Sequence, residues 1–469
     1  MSDETGVRAR FLPPGPLVVV LLIALLGAAT VITVAFLNKP VEPVGWTDPL
    51  PEPEVAVPAS PHPAVETPPA DGPPRPGAAI SARAAVEPAL TDPAVGPVAV
   101  SVVDVATDDA LLQVDPDRPV TPASTTKLLT AASALTVLPR GARLATTVLV
   151  GSAPGEIVLV GGGDPTLRRT EAAGTYPGAG TVADLAQQVR DSGVGPVERI
   201  VVDSTRYSGP LLAPGVPQTW IAGGSIAAMR PVMVDGGRQN FDDDSPRVTE
   251  PDLVAGRALA DALGNPDAEV VRGGATPGAR RLAEVESPPM EDLVAFMVVS
   301  SDNVLAEALG RWVAAEMGLP ASYQGAAQAV RRGATLVGVS SAGIQLQDAS
   351  GLSPLNTITP RTLTSLMTRA ALDSVVLDPL VATLPVAGFS GTLADRYRDD
   401  AAARAGAGMV RAKTGRLPGV AALAGLVQSA DGRLLAFAFM AGDVPSDPLK
   451  ASEMLDRAAA GLARCACGG

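Results

Sequence analysis

Histidine and lysine are scarce in this 469-residue chain. His62 is the only histidine and lies in a proline-rich stretch, which excludes a catalytic Ser-His-Asp arrangement. Only four of the 36 basic residues are lysines, and two of these, Lys127 and Lys413, lie in short polar motifs. An arginine keeps its proton, whereas a buried lysine can lose one. These two lysines are therefore candidates for proton transfer.

Cysteines and aromatic residues are also rare, and basic residues are outnumbered by acidic ones. Cys465 and Cys467 are the two cysteines, and ring strain at this spacing argues against a disulfide between them. We therefore expect 465–469 to be an inert tail. The net charge of −13 argues against a nucleic-acid partner. The 46% hydrophobic content indicates a globular protein with an ample core.

The N-terminal region contains one long uncharged run, Pro16–Leu37, of 22 residues. As a helix it is about 33 Å long, which matches a hydrocarbon core of roughly 30 Å. Arg8 and Arg10 precede it, so the positive-inside tendency places a tail at 1–15 in the cytoplasm. We expect a single-pass cell-membrane anchor at 16–37 with the rest of the chain extracytoplasmic. The alternative is a cleaved secretory signal.

Proline dominates the next segment, with thirteen prolines from Pro40 to Pro76. This composition is typical of a disordered linker, which we place at 38–80. The folded part then runs from about 81 to 464. That length exceeds a usual compact domain and indicates an inserted second domain.

Strand patterns lie at both ends of the folded part. Val98–Val103 and Ala110–Val114 form a predicted hairpin near its start. Near its end, strands are predicted at 409–413, 419–427 and 434–440, followed by a helix at 447–462. The sequence therefore predicts an α+β fold in which both ends contribute to one antiparallel five-stranded sheet covered by helices.

Ser124 and Lys127 begin an apolar helix predicted over Thr125–Val137. Residues three apart share a helix face, so the hydroxyl lies near the positive helix end, with the lysine one turn inward. This arrangement suits an activated serine nucleophile with a lysine base. A serine that only caps the helix is the alternative.

Two further motifs carry polar residues in well-defined settings. Ser301, Asp302 and Asn303 separate two helical patterns, where such residues commonly form an ordinary turn. Lys413, Thr414 and Gly415 end a predicted strand. Either motif alone has a structural explanation. In combination with Ser124 and Lys127 they match the three motifs of penicillin-binding proteins and class A β-lactamases.

The chain resembles the penicillin-recognising serine DD-peptidases, specifically D-alanyl-D-alanine carboxypeptidase/endopeptidases of the penicillin-binding protein 4 type. Matching segments also occur at 162–167, 348–353, 384–388 and 391–393. The resemblance implies a DD-peptidase/β-lactamase-like fold with a smaller mixed α/β domain inserted between the first two motifs. The insert is placed at 142–283, which leaves 81–141 and 284–464 as the penicillin-binding domain.

The resemblance also implies the roles of the motif residues. Ser124 would attack the carbonyl of a D-Ala-D-Ala bond, Lys127 would accept its proton, and Ser301 would relay a proton to the leaving amine beside Lys413. The substrate would be held by four residues: Asn303, Thr414, Gly415 and Arg416. The implied partners are peptidoglycan stem peptides and, as covalent inhibitors, β-lactams. The reaction needs no metal or organic cofactor.

Three positions depart from the family pattern. Arg416 stands where threonine is common, Pro418 lacks a backbone N–H, and Ala349 stands where glycine is usual. Two other functions therefore stay open. They are a catalytically weakened wall-binding protein and a β-lactamase or esterase on the same fold.

Overall fold

The computed structural model describes residues 77–467, apart from 94, 171–175, 241, 243–244, 374 and 446. Within these residues no helix has both the length and the apolarity to cross a membrane. The predicted tail at 1–15, anchor at 16–37 and most of the linker lie outside them. The first helix begins at Gly77, so the last four residues of the predicted linker, 77–80, are helical, and Ala78 is buried.

The described part has helices both between its strands and in one run without strands, from Met290 to Ala382. Their bounds are α1 Gly77–Leu90, α2 Thr126–Val137, α3 Val182–Asp191, α4 Thr219–Ala222, α5 Pro251–Leu263, α6 Met290–Ser300, α7 Asn303–Glu316, α8 Tyr323–Leu336, α9 Pro360–Leu372, α10 Asp378–Ala382 and α11 Pro448–Arg464.

The first sheet has five antiparallel strands in the order β2-β1-β10-β9-β8. Their bounds are β1 Val98–Asp104, β2 Ala110–Val114, β8 Val410–Leu417, β9 Val420–Gln428 and β10 Leu434–Gly442. Alternate residues of β1 enter different cores. Ala99 joins the core with α2 and α6–α9, whereas Val100 and Val102 join the core with α1 and α11. Both faces of this sheet are therefore covered by helices, as the α+β prediction requires.

The second sheet belongs to the inserted region and has the order β6-β5-β4-β3-β7. Its strands are β3 Ala145–Val150, β4 Glu156–Gly161, β5 Arg199–Asp203, β6 Glu269–Gly273 and β7 Arg281–Glu286. The pairs β4–β5 and β5–β6 are parallel, whereas β3 is antiparallel to both neighbours. β7 pairs with β3 up to Glu286, three residues beyond the predicted end of the insert at 283.

The end of β8 differs from the sequence prediction. Lys413, Thr414 and Gly415 lie inside the strand, which continues to Leu417. Leu417 pairs with Val420, so Pro418 lies in the tight turn between β8 and β9. The missing N–H of Pro418 therefore removes no strand hydrogen bond, contrary to expectation.

The expectation of unbridged cysteines was wrong. Cys465 and Cys467 form a disulfide with Cα atoms 5.0 Å apart, within the range that such bonds require. The chain leaves α11 in an extended conformation at Cys465, which lets the two side chains meet. Both cysteines are buried in the core beneath α11, so this end of the chain is packed.

Candidate active site

The serine and lysine of the first motif meet at the beginning of α2. Ser124 lies in a 3-10 turn, Ala123–Thr125, that leads directly into the helix. Lys127 is fully buried, and its Nζ donates to Ser124 Oγ at 3.0 Å, Asn303 Oδ1 at 2.6 Å and the Ser350 carbonyl at 2.7 Å. Three acceptors fix the ammonium beside the half-buried serine hydroxyl, where it can receive the serine proton once it is neutral.

The second motif forms the junction between α6 and α7. Ser301 has a left-handed backbone with φ 61°, which is unfavourable for a residue with a side chain. Asp302 accepts from Leu305 N at 2.9 Å and caps α7. The Oγ of Ser301 accepts from Lys413 Nζ at 2.9 Å. The junction thus brings Ser301 and Asn303 to the two buried lysines.

Burial controls the charge of both lysines. It lowers the pKa of Lys127 to about 8, although the carboxylates of Asp348, Asp302 and Glu307 oppose this shift. Burial also lowers the pKa of Lys413, and repulsion from Lys127 lowers it further. Repulsion between the lysines therefore lowers the pKa of Lys413, whereas carboxylates are the charged neighbours that act on Lys127. Both lysines can lose a proton more readily than an exposed lysine.

The third motif lines the edge strand β8. The Thr414 hydroxyl donates to Thr392 Oγ1 at 3.0 Å. Gly415 is required by close packing, since a Cβ there would lie 2.6 Å from the Pro122 carbonyl oxygen. Arg416 is exposed and has no hydrogen-bond or ion-pair partner among the described residues. Its guanidinium is thus available to an anionic ligand.

The loop at 348–353 supports the base, although the sequence suggested no role for it. Its Ser350 carbonyl accepts from Lys127, and the N–H groups of Ala349 and Ser350 donate to Glu307 Oε1 at 3.1 and 2.9 Å. The unusual Ala349 fits because Gly310 of α7 faces its methyl group. A Cβ at Gly310 would lie 2.5 Å from that methyl. The departure at 349 therefore leaves the loop intact.

Glu307 was missed as a site residue. It is buried in α7 and pairs with Arg311 at 3.0 Å, one turn later. The Arg311 guanidinium lies 4.0 Å from the ring centre of Tyr323. The sequence signal was available, because a glutamate and an arginine four residues apart interrupt an otherwise apolar helix.

Asn303 makes more contacts within the protein than the sequence suggested. Its Oδ1 accepts from Lys127, and its Nδ2 donates to the Ser225 carbonyl at 2.8 Å. Both ends of the amide thus have partners within the protein. Asn303 therefore orients the lysine, and the prediction that it meets the substrate stays a prediction.

Comparison with known proteins identifies the family. The family model for the D-Ala-D-Ala carboxypeptidase 3 (S13) family matches residues 82–246 and 238–462. Carboxypeptidase DacB of Mycolicibacterium smegmatis is 46% identical over 312 residues, which are 65% of this chain and 67% of that protein. The D-alanyl-D-alanine carboxypeptidase of an Actinomadura species is 29% identical over 408 residues, covering 68% and 73% of the two chains.

Solved structures agree on the fold. Penicillin binding protein 4 of Haemophilus influenzae matches with a TM-score of 0.67 at 20% identity, covering 80% of this chain and 98% of that chain. The predicted fold and family are confirmed, whereas the roles assigned to single residues stay predictions. This chain belongs to the D-Ala-D-Ala carboxypeptidase 3 (S13) family of serine peptidases.

Proposed function

We propose that this chain hydrolyses D-Ala-D-Ala termini of peptidoglycan stem peptides through an acyl-enzyme on Ser124. The hydrogen bond from the buried Lys127 to Ser124 Oγ, at 3.0 Å, carries this proposal. It pairs a nucleophile with a base whose pKa is about 8, close to neutral pH. The same pair argues against a catalytically weakened wall-binding protein.

The reaction follows from the positions of the hydroxyl and amine groups. Ser124 Oγ attacks the scissile carbonyl carbon while its proton passes to Lys127 Nζ. The carbon–nitrogen bond then breaks as Ser301 gives its proton to the leaving amine and takes one from Lys413 Nζ. Water attacks the resulting ester, and one of its protons restores the Ser124 hydroxyl while the new acid loses its proton to Lys413 and becomes a carboxylate. Lys127 returns to its neutral form by giving its extra proton to the released amine, which becomes an ammonium.

We propose that the site also cuts crosslinks. A free D-Ala-D-Ala end and a D-Ala-to-diaminopimelate crosslink both carry a carboxylate on a D-centre beside the scissile amide. Thr414 and the exposed Arg416 flank Gly415 on β8, where that carboxylate would lie. A single site therefore accounts for carboxypeptidase and endopeptidase activity.

Labelled penicillin tests the nucleophile and the base. We expect a stable adduct on Ser124, none in Ser124→Ala, and labelling at least about a hundredfold slower in Lys127→Arg because a permanent cation cannot accept the proton. Lys450→Arg, at an exposed lysine, is the matched control and should label normally. An adduct on Ser301, or rapid labelling of Lys127→Arg, would contradict the assignment.

We further propose that residues 16–37 anchor the chain, with the catalytic region extracytoplasmic. The support is the uncharged 22-residue run and the arginines that precede it. After alkaline extraction the full-length chain should stay with the membrane pellet. Recovery in the supernatant of a chain shortened at its N-terminus would instead indicate a cleaved signal.

A further inference from the structure

The inserted region makes buried polar contacts with the second catalytic motif. Tyr176 Oη donates to Asp302 Oδ2 at 2.7 Å. Arg238 donates through Nη1 to Tyr176 Oη at 2.9 Å and through Nη2 to Asp302 Oδ2 at 3.2 Å. Tyr176 is 1% exposed, Arg238 5% and Asp302 7%. Water therefore screens the interactions within this triad only weakly.

A second contact joins the insert to Asn303. The Ser225 carbonyl of the insert accepts from Asn303 Nδ2 at 2.8 Å, which leaves Oδ1 directed at Lys127. Arg247 fixes the backbone around Ser225 by donating to the Gly224 carbonyl at 3.1 Å. The amide orientation of Asn303 therefore depends on backbone that the insert supplies.

Two arginines compensate the buried negative charge of Asp302 at the junction. Burial would raise the pKa of Asp302, but the charges of Arg238 and Arg247 hold it below its usual value. The other carboxylate oxygen of Asp302 caps α7 through Leu305 N. Asp302 thus joins Arg238 of the insert to the first turn of the helix that begins with Asn303.

We propose that Tyr176 and Arg238 are positioning residues that hold Ser301 and Asn303 in their reactive geometry. The left-handed Ser301 backbone is strained, so it persists only where its surroundings enforce it. The insert contacts the next residue, Asp302, and so holds the Ser301 backbone in this conformation. Through these two residues the inserted region helps to position the second catalytic motif, and this inference rests on the proposed function.

Removing the Tyr176 hydroxyl should slow acylation without weakening the first encounter with the drug. In the full chain, Tyr176→Phe should reduce the acylation rate constant at saturating penicillin roughly tenfold, since small displacements of reacting groups cost rate. The dissociation constant of the initial complex should stay within about twofold, because Tyr176 is buried and touches Asp302 rather than the ligand. Rates are taken per molecule that finally becomes labelled, which removes any loss of folded protein.

Tyr207→Phe is the matched control. Tyr207 also lies in the insert, and its hydroxyl donates to the Gly163 carbonyl at 3.2 Å rather than to the junction. Its ring, which lies 5.2 Å from the Arg311 guanidinium, is kept in Tyr207→Phe. Each variant deletes one partly or fully buried hydroxyl. We expect Tyr207→Phe to acylate at the rate of the unaltered chain. Equal slowing of both variants would overturn the proposal in favour of a general stability effect.

Substitutions of Arg238 test the same proposal independently. Arg238→Met should slow acylation, and Arg238→Lys should recover part of the rate, because lysine restores one charged donor to Asp302. Unchanged rate constants in Tyr176→Phe and both Arg238 variants would refute the positioning role. Failure of the unaltered chain to label on Ser124 would instead refute the proposed function, so the two failures are distinguishable.

Discussion

At the residue scale, opposing effects set the pKa of Lys127. Full burial removes water from the ammonium and favours its neutral form. The carboxylates of Asp348, Asp302 and Glu307 act in the opposite direction, and burial prevails. An exposed lysine would be almost entirely protonated near pH 7, whereas a pKa of about 8 leaves roughly a tenth of Lys127 neutral. Lys127 can therefore act as a base near neutral pH without a histidine.

The pH dependence of acylation tests this balance. A base must be deprotonated to act, so the rate should rise as pH increases through about 8 and then level off. The measurement is the rate of labelling with a fluorescent penicillin across this interval, at limiting drug concentration. A rate that falls as pH increases through the same interval would show that Lys127 is not the base.

Arg416 is the departure with the most direct consequence for substrates. It is exposed beside Gly415 and can form a two-point contact with a carboxylate. Arg416→Thr should lower kcat/KM for a pentapeptide and for a crosslinked dimer, while penicillin acylation falls less because ring strain activates the drug. Paired kinetics on the two peptides measure this. Unchanged or improved turnover of both would mark the arginine as a bystander or an obstruction.

The sequence pointed to candidate reacting residues, which the structure brings together, but not to the residues that support them. The spacing of Ser124 and Lys127 and the scarcity of lysine pointed to Lys127 as the candidate base. Tyr176 and Arg238 could not be found this way, because their partner Asp302 lies 126 and 64 residues away in the chain. Contacts of that range depend on how the inserted region packs.

At the element scale, α2 meets α8 through a glycine. Gly333 is buried in α8, and a Cβ there would lie 2.1 Å from Ser133 Oγ in α2. The Ser133 hydroxyl donates to the Val330 carbonyl at 3.0 Å and fills the contact. This crossing brings α8 against the helix that carries Lys127, so its spacing supports the site.

Gly333→Ala should destabilise the protein despite the better helix propensity of alanine. The propensity gain is about 1 kcal/mol, whereas overpacking a filled contact costs about 1–3 kcal/mol. We expect a lower Tm for Gly333→Ala and little change for Thr335→Ala, an exposed position of the same helix. Thermal unfolding followed by circular dichroism measures both. A higher Tm for Gly333→Ala would show that the helices separate without cost.

The sequence predicted that these helices and strands exist, but it did not predict where each of them ends. Strands β1, β2, β9 and β10 and helix α11 lie close to their predicted positions because their apolar patterns are long. The end of β8 was predicted too early, because Lys413 and Gly415 look like a strand terminus. Pairing of β8 with β9 up to Leu417 overrides that local signal.

At the scale of the whole described region, the first sheet separates two hydrophobic cores, one on each of its faces. The core with α2 and α6–α9 surrounds the buried lysines, whereas the other core lies under α1 and α11. Ala412 faces the second core, so its neighbour Lys413 points to the first. Lys413 therefore lies on the face of the sheet opposite to the helix at the N-terminal end of the described region.

Removing α1 should lower stability and spare the chemistry. Helix α1 buries Ala78, Ala82, Val86 and Ala89 in the core that it shares with α11. A chain that begins at Asp92 exposes this surface and should unfold at a lower Tm than one that begins at Gly77. A chain that begins at Ser81 lacks the first turn, with the buried Ala78, and should be intermediate.

Penicillin labelling separates this loss of stability from any effect on the site. Well below the Tm of each chain, labelling of Ser124 should proceed at similar rates in all three, because α1 lies on the face opposite to Lys413. Equal Tm values for the chains that begin at Gly77 and Asp92 would show that α1 adds no stability. Loss of labelling in the folded chain that begins at Asp92 would show that the two faces of the sheet are coupled.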